Sequence, residues 1–100
     1  MRVQMIMKWD GVTVSQYEQL RKVVKWEENH PTGAVFHVVS FSKDGARVTD
    51  IWESEADFNN FLQARLMPGV TQVGIKGQPQ VEFYPVHAIF APAYEGAATH

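Results

Sequence analysis

The stretch that most constrains this chain is "HVVSFSKDGARVTDIWES", residues 37–54. Two runs rich in β-branched and aromatic residues meet at Asp44-Gly45. Such a pair between such runs is a strong short-range hairpin signal. The runs predict strands over 34–42, "AVFHVVSFS", and 46–53, "ARVTDIWE". If Asp44-Gly45 is a two-residue turn, Lys43 faces Ala46, Phe41 faces Val48, Val39 faces Asp50 and His37 faces Trp52. His37, Asp50 and Trp52 then share one face, with Asp50 diagonal to His37. A three-residue turn would move His37 to the opposite face, because side chains alternate along a strand.

The flanking sequence supplies the other elements. Residues 2–9, "RVQMIMKW", alternate, with Val3, Met5, Met7 and Trp9 on one side, which reads as a strand. Thr13 is placed to cap a helix, with Gln16 as its capping-box partner. The helical pattern runs through residues 14–30, its stripe is Tyr17, Leu20 and Val24, and Pro31 and Gly33 are expected to stop it. Ser54 caps a second helix, with Asp57 three residues on and a stripe of Phe58, Phe61, Leu62 and Leu66. Pro68-Gly69 is expected to break that helix, and "VTQVGI" to add a short turn. A last strand, "VEFYPVHAIF", carries Pro85, which marks an edge or a bulge.

The resulting order, β-α-β-β-α-β, is that of an α+β ferredoxin-like sandwich, four antiparallel strands with helices on one face. One hundred residues make one domain, here residues 1–92, followed by a tail of small residues over 93–100. The face away from the helices is apolar in part. The first strand has Ile6 on the side opposite its Met and Trp residues, and the second has Phe36 and Val38 on one side and Val35, Val39 and Phe41 on the other, which predicts cover by a second subunit, sheet against sheet, in a homodimeric α/β barrel.

Composition excludes several functions. A net charge of −2 with scattered lysine and arginine argues against a nucleic-acid binder. The absence of cysteine removes disulfides, thiolate zinc sites and cysteine nucleophiles. No apolar run approaches membrane-spanning length, so no membrane partner is expected, and the expected compartment is the cytoplasm. Four dispersed histidines make no metal-ligand spacing. "GIKGQPQ" matches no phosphate-binding loop.

"HPTG" before the second strand and "DIWESEADFNNF", from the third strand into the second helix, resemble the antibiotic-biosynthesis-monooxygenase-like family of the dimeric α/β-barrel superfamily. The resemblance spans residues 2 to about 90. It implies the ferredoxin-like fold, a dimer, and a small flat ligand between helices and sheet, with Trp52 and Phe58 or Phe61 as pocket walls. Family members include cofactor-independent monooxygenases of aromatic polyketides, heme-degrading enzymes, cyclases and isomerases, so the fold alone sets no reaction. The heme-degrading pattern is not met. Phe61 stands where that branch has a tryptophan, Thr71 or a neighbour where it has its histidine ligand, and Met7 and Lys8 where it has an asparagine. No cofactor is implied.

Two histidines are candidates for chemistry. Asp50 is expected to fix the tautomer of His37, leaving its other nitrogen as a base for deprotonating a phenol. The structural alternative is a satisfied polar pair at the sheet or the dimer interface, with Trp52 as core. His87 is the second candidate, expected on the last strand beside Phe83 and Ile89. His30 is read as a structural residue at the first helix's C-terminus, and Trp26 as a surface or interface aromatic. Three readings remain open: a cofactor-free monooxygenase, a dimeric ligand-binding or accessory protein without turnover, and an isomerase or cyclase. Packing of Trp52 on Phe61 in a filled pocket would favour the second. An open cavity holding an unpaired His37 would favour the first.

Overall fold

The computed structural model of the protein describes residues 1–94. Strand β1 (Val3–Asp10) leads into helix α1 (Val14–Val24), and then come strands β2 (Ala34–Ser42) and β3 (Gly45–Trp52). A second helical stretch begins as α2 (Glu55–Phe61), passes through a π turn (Leu62–Leu66) and continues as α3 (Met67–Val73). Strand β4 (Gln80–Pro85) closes the fold. The antiparallel sheet has the order β2-β3-β1-β4, the ferredoxin-like α+β topology. The expected tail beyond Tyr94 lies outside the described residues.

The core lies between the sheet and the helices. Met5, Met7 and Trp9 from β1 meet Leu20 and Val24 from α1 and Phe58, Leu66 and Val70 from the second helical stretch. Met5 is 0% and Phe58 1% exposed, so each contributes about 1.5–3 kcal/mol of apolar burial. The opposite sheet face mixes types. Ile6 pairs with Thr49 and Glu82, and Phe36 with Ile51, while Val38 and Tyr84 are exposed.

Both helix starts follow the sequence. The Thr13 side chain accepts from the Gln16 amide and the Gln16 side chain accepts from the Thr13 amide, each at 3.1 Å. Ser54 Oγ accepts from the Asp57 amide at 3.1 Å. These bonds satisfy amides that have no partner within the first turn.

The ends differ from expectation, each for a local reason. Helix α1 stops at Val24 instead of running to residue 30. Lys25 adopts a left-handed conformation, φ 59°, and its N–H donates to the Arg21 carbonyl. Arg65 Nη2, reaching across from the π turn, donates to the carbonyls of Val24 (3.0 Å) and Lys25 (3.3 Å). A side chain forty residues away in sequence thus satisfies the open helix end. His30 therefore does not sit at a helix C-terminus.

Pro68 and Gly69 do not break the second helical stretch. The Met67 N–H donates to the Leu62 carbonyl, five residues back, so the chain slips by one residue where α3 begins, with Pro68 in its first turn. Gly69 serves close packing. A Cβ there would fall 2.5 Å from Val24 Cγ2 of α1.

The hairpin turn is Lys43-Asp44, with Ser42 opposite Gly45, so pairing is offset by two residues from the Asp44-Gly45 reading. Neither turn residue has positive φ, which rules out the type I′ geometry that Asp-Gly suggested. Gly45, at φ 146°, instead begins β3 where a Cβ would fall 2.3 Å from the Trp9 carbonyl oxygen of β1. An even offset leaves the side chains from Phe36 to Ser42 on their expected faces. Strand β4 ends at Pro85, and residues 86–90 are not strand, although the Val86 N–H still donates to the Arg2 carbonyl.

Candidate functional site

The two-residue offset changes one relationship in the predicted cluster. His37 lies directly opposite Asp50, and Ala34 opposite Trp52, with a bulge at Val35 between the two registers. His37 Nδ1 is 2.6 Å from Asp50 Oδ1. Trp52 Nε1 donates to Asp50 Oδ2 at 3.0 Å. His37, Asp50 and Trp52 are thus one hydrogen-bonded unit on the helix-facing side. Asp50 is only 6% exposed and Trp52 is buried, whereas the His37 ring is partly open.

A fourth member comes from α1. The Tyr17 hydroxyl is 2.9 Å from His37 Nε2. With Asp50 as a carboxylate, Nδ1 carries the imidazole proton and Nε2 presents a lone pair, so the Tyr17 O–H donates to Nε2. In this tautomer every donor in the chain Tyr17–His37–Asp50–Trp52 has an acceptor. Burial pushes the Tyr17 phenol up from 10.0 to about 12, with the neighbouring Glu27, Glu18 and Asp50 acting the same way and Arg21 opposing. Tyr17 therefore keeps its proton at neutral pH.

The early end of α1 brings Trp26 to this unit. Its ring lies 5.8 Å from His37 and 5.6 Å from Tyr17, centroid to centroid. Arg21 holds the segment that carries it, through Nε to Glu27 Oε1 (2.5 Å) and Nη2 to Glu27 Oε2 (2.8 Å). The ion pair holds the Glu27 carboxyl below its usual range and raises the Arg21 guanidinium.

These groups line a cavity of about 320 Å³ between sheet and helices. Its floor and far wall are apolar, with Met5, Met7, Val48, Phe58, Leu66 and Ile75 among the lining. Its polar groups include Tyr17, Glu27, His30, His37 and Asp50. Trp52 packs on Phe61 at 5.6 Å and on Phe58 at 5.5 Å, so the three expected wall residues form one aromatic cluster.

His87 does not join the site. It lies beyond the end of β4, is exposed, and is absent from the cavity lining. Its expected alignment with Phe83 and Ile89 fails because Pro85 ends the ladder before it. Tyr17 and Trp26 are the site residues that sequence reasoning missed. Tyr17 had a readable signal, a hydroxyl-bearing residue in the apolar stripe of α1. Trp26 had none, since its position depends on the left-handed Lys25. Among the described residues no group of three potential ligand side chains is placed to hold a metal, and no helix is long and apolar enough to cross a membrane.

No sequence-family model matches the chain, and no curated protein matches it in sequence. Solved structures do match. SnoaB, a cofactor-independent oxygenase from Streptomyces nogalater, is 14% identical, with a TM-score of 0.63 over 88% of this chain and 95% of that one. NE2512 from Nitrosomonas europaea, a protein of unknown function, is 15% identical, with a TM-score of 0.68 over 92% and 95%. A protein from Deinococcus radiodurans provisionally assigned as an antibiotic biosynthesis monooxygenase is 16% identical, with a TM-score of 0.55 over 91% and 97%. The chain is therefore an α+β ferredoxin-like protein that shares its fold with antibiotic-biosynthesis-monooxygenase-like structures. The resemblance read from "DIWESEADFNNF" points to the same group.

Proposed function

We propose that this protein is a small-molecule enzyme of the cofactor-independent monooxygenase type, acting as a homodimer on a flat, largely apolar phenol or enol. The observation that carries the proposal is the Tyr17–His37–Asp50 chain on the wall of an apolar cavity. The fold shared with a cofactor-independent oxygenase supports it.

In this reading His37 is the base, Asp50 fixes its tautomer, and Trp52 fixes Asp50. Tyr17 caps Nε2, so the substrate meets the Tyr17 hydroxyl first. The substrate proton passes to Tyr17 Oη as the Tyr17 proton passes to Nε2. The resulting carbanion-type enolate gives its electron pair, one electron at a time, to dioxygen and forms a C–O bond as a peroxide. The imidazolium returns its proton to the peroxide, which loses water and leaves a carbonyl. One oxygen atom enters the product and the other leaves as water, so a CH₂ group and O₂ become C=O and H₂O. The aromatic walls exclude bulk water from the anion.

A second reading has specific support. Trp52 packs on Phe61, and His37 is fully hydrogen-bonded, as expected of a ligand-binding protein without turnover. One experiment separates the readings. Hydroxylated naphthalenes and anthrones are screened by thermal shift, and each binder is then assayed for oxygen consumption. A ligand at about 100 Kd adds roughly 2.7 kcal/mol of stability. Binding with oxygen uptake that His37→Ala abolishes supports the monooxygenase. Binding without uptake or any product supports the binder, and conversion without oxygen supports an isomerase or cyclase. No binding by any compound overturns the proposal.

A further inference from the structure

His30, Pro31 and Phe61 line the main cavity on one side and a second cleft on the other. The second cleft, about 430 Å³, is bounded by the segment after α1 and by the outer side of the second helical stretch. Its chemistry differs from that of the main cavity. Asn29 and Asn60 bring carboxamides, Thr32 a hydroxyl, Asp57 a carboxylate and Arg65 a guanidinium.

The two opposite charges balance, and neither Asp57 nor Arg65 takes part in an ion pair among the described residues. Both are nonetheless held in place. Arg65 donates to the carbonyls of Val24 and Lys25, and its guanidinium carbon lies 5.4 Å from the Phe61 ring centre. The Asp57 carboxylate presses on Gly33, where a Cβ would fall 2.2 Å from Oδ2. Gly33 has φ +83°, so the loop there is fixed by both conformation and contact.

A charged ligand would face one like charge in this cleft. A neutral ligand with many hydroxyls would not, since each hydroxyl both donates and accepts, as the carboxamides and Thr32 do. The cleft also adjoins the apolar cavity, with three residues common to both linings, so a substituent projecting past their edge from a ring in the cavity would enter it. We propose that the cleft is a subsite for a neutral, hydroxyl-rich substituent of glycosyl type, carried on the flat ring system that occupies the main cavity. This deepens the reading above and rests on it, because the ring must bind first.

The test compares a dihydroxynaphthalene with its monoglucoside, each titrated by calorimetry into the wild-type protein, Asn60→Ala and Asn29→Ala. Asn60 is an exposed position on α2, where alanine favours the helix, so the fold is retained. The expected result is a glucoside Kd about tenfold below that of the parent, a difference of about 1.4 kcal/mol. Each variant should lose threefold or more of that gain while binding the parent as the wild type does. A glucoside that binds no tighter than its parent overturns the subsite and leaves the main cavity's function standing. A gain that survives both substitutions also overturns it. Failure of both compounds to bind removes the reading beneath and this inference with it.

Discussion

The Tyr17 hydroxyl sits 2.9 Å from His37 Nε2, on the nitrogen that a substrate would otherwise approach. Tyr17→Phe separates a relay from a plug. If the proton travels through Tyr17, the phenylalanine variant loses about a hundredfold in kcat, within the usual range for a positioned proton-transfer group. If Tyr17 only blocks His37, turnover is retained or rises. Steady-state kinetics on the first substrate found by oxygen uptake decides between them.

Asp50→Asn should cost both stability and activity. A carboxamide has one acceptor oxygen, yet two donors, His37 Nδ1–H and Trp52 Nε1–H, point at this side chain. One donor is left unsatisfied in a buried place, at a cost of about 1–3 kcal/mol. The tautomer of His37 is also freed, so kcat should fall a hundredfold or more. Urea denaturation and kinetics read the two effects. An active variant of wild-type stability would contradict both.

Tyr17 makes the protein sensitive to strong base. Burial pushes the folded phenol up from the ordinary 10.0 to about 12, so between those values the unfolded chain has released its proton and the folded one has not. Stability from this group is therefore whole below pH 10 and falls as pH rises toward 12. Phenolate absorbance of wild type minus Tyr17→Phe should show a late-titrating group. Tyr84 is also raised, by its hydrogen bond to Glu82, so the difference spectrum is needed to isolate Tyr17. A difference titrating near 10 would refute the assignment.

The sheet face that carries Ile6, Phe36, Val38 and Ile51 is expected to be the dimer contact. Analytical ultracentrifugation should give twice the chain mass for the wild type. Val38→Lys, at a position 42% exposed in the single chain, should shift the equilibrium toward the monomer with little loss of secondary structure. A wild-type monomer at micromolar concentration would sink this expectation.

Gly69→Ala tests the contact between α1 and α3. Alanine gains about 1 kcal/mol of helix propensity. Against this, the new methyl would sit 2.5 Å from Val24 Cγ2, and forcing it in costs about 1–3 kcal/mol. Thermal melting should show a net loss. A gain would mean that the helices part easily.

The fold was legible because the signals that set it are local. Alternation in β1, the capping box at Thr13 and the two β-rich runs each needed only a few neighbouring residues. The site was half legible. His37, Asp50 and Trp52 share a face under any even register, so the cluster survived a turn placed one residue late. Tyr17 stood in the apolar stripe of α1 and could have been read, but Trp26 depends on where α1 stops. That is decided by Lys25 in a left-handed conformation and by Arg65 reaching back from the π turn, a contact that no local pattern encodes. The strand ending at Pro85 shows the opposite case. The proline was visible, but the run of apolar residues beyond it outweighed the signal, and His87 was carried along.

The π turn works as a phase shifter. Each residue of an α-helix advances about 100°, so the extra residue between Leu62 and Leu66 rotates everything downstream relative to everything upstream. Upstream, Phe58 and Phe61 face the cavity. Downstream, Gly69 and Val70 meet the core and α1. Deleting one residue here would give a straighter helix with a worse protein. Only one of the two halves could then keep its bearing, and either the aromatic wall or the close contact between helices would be turned away.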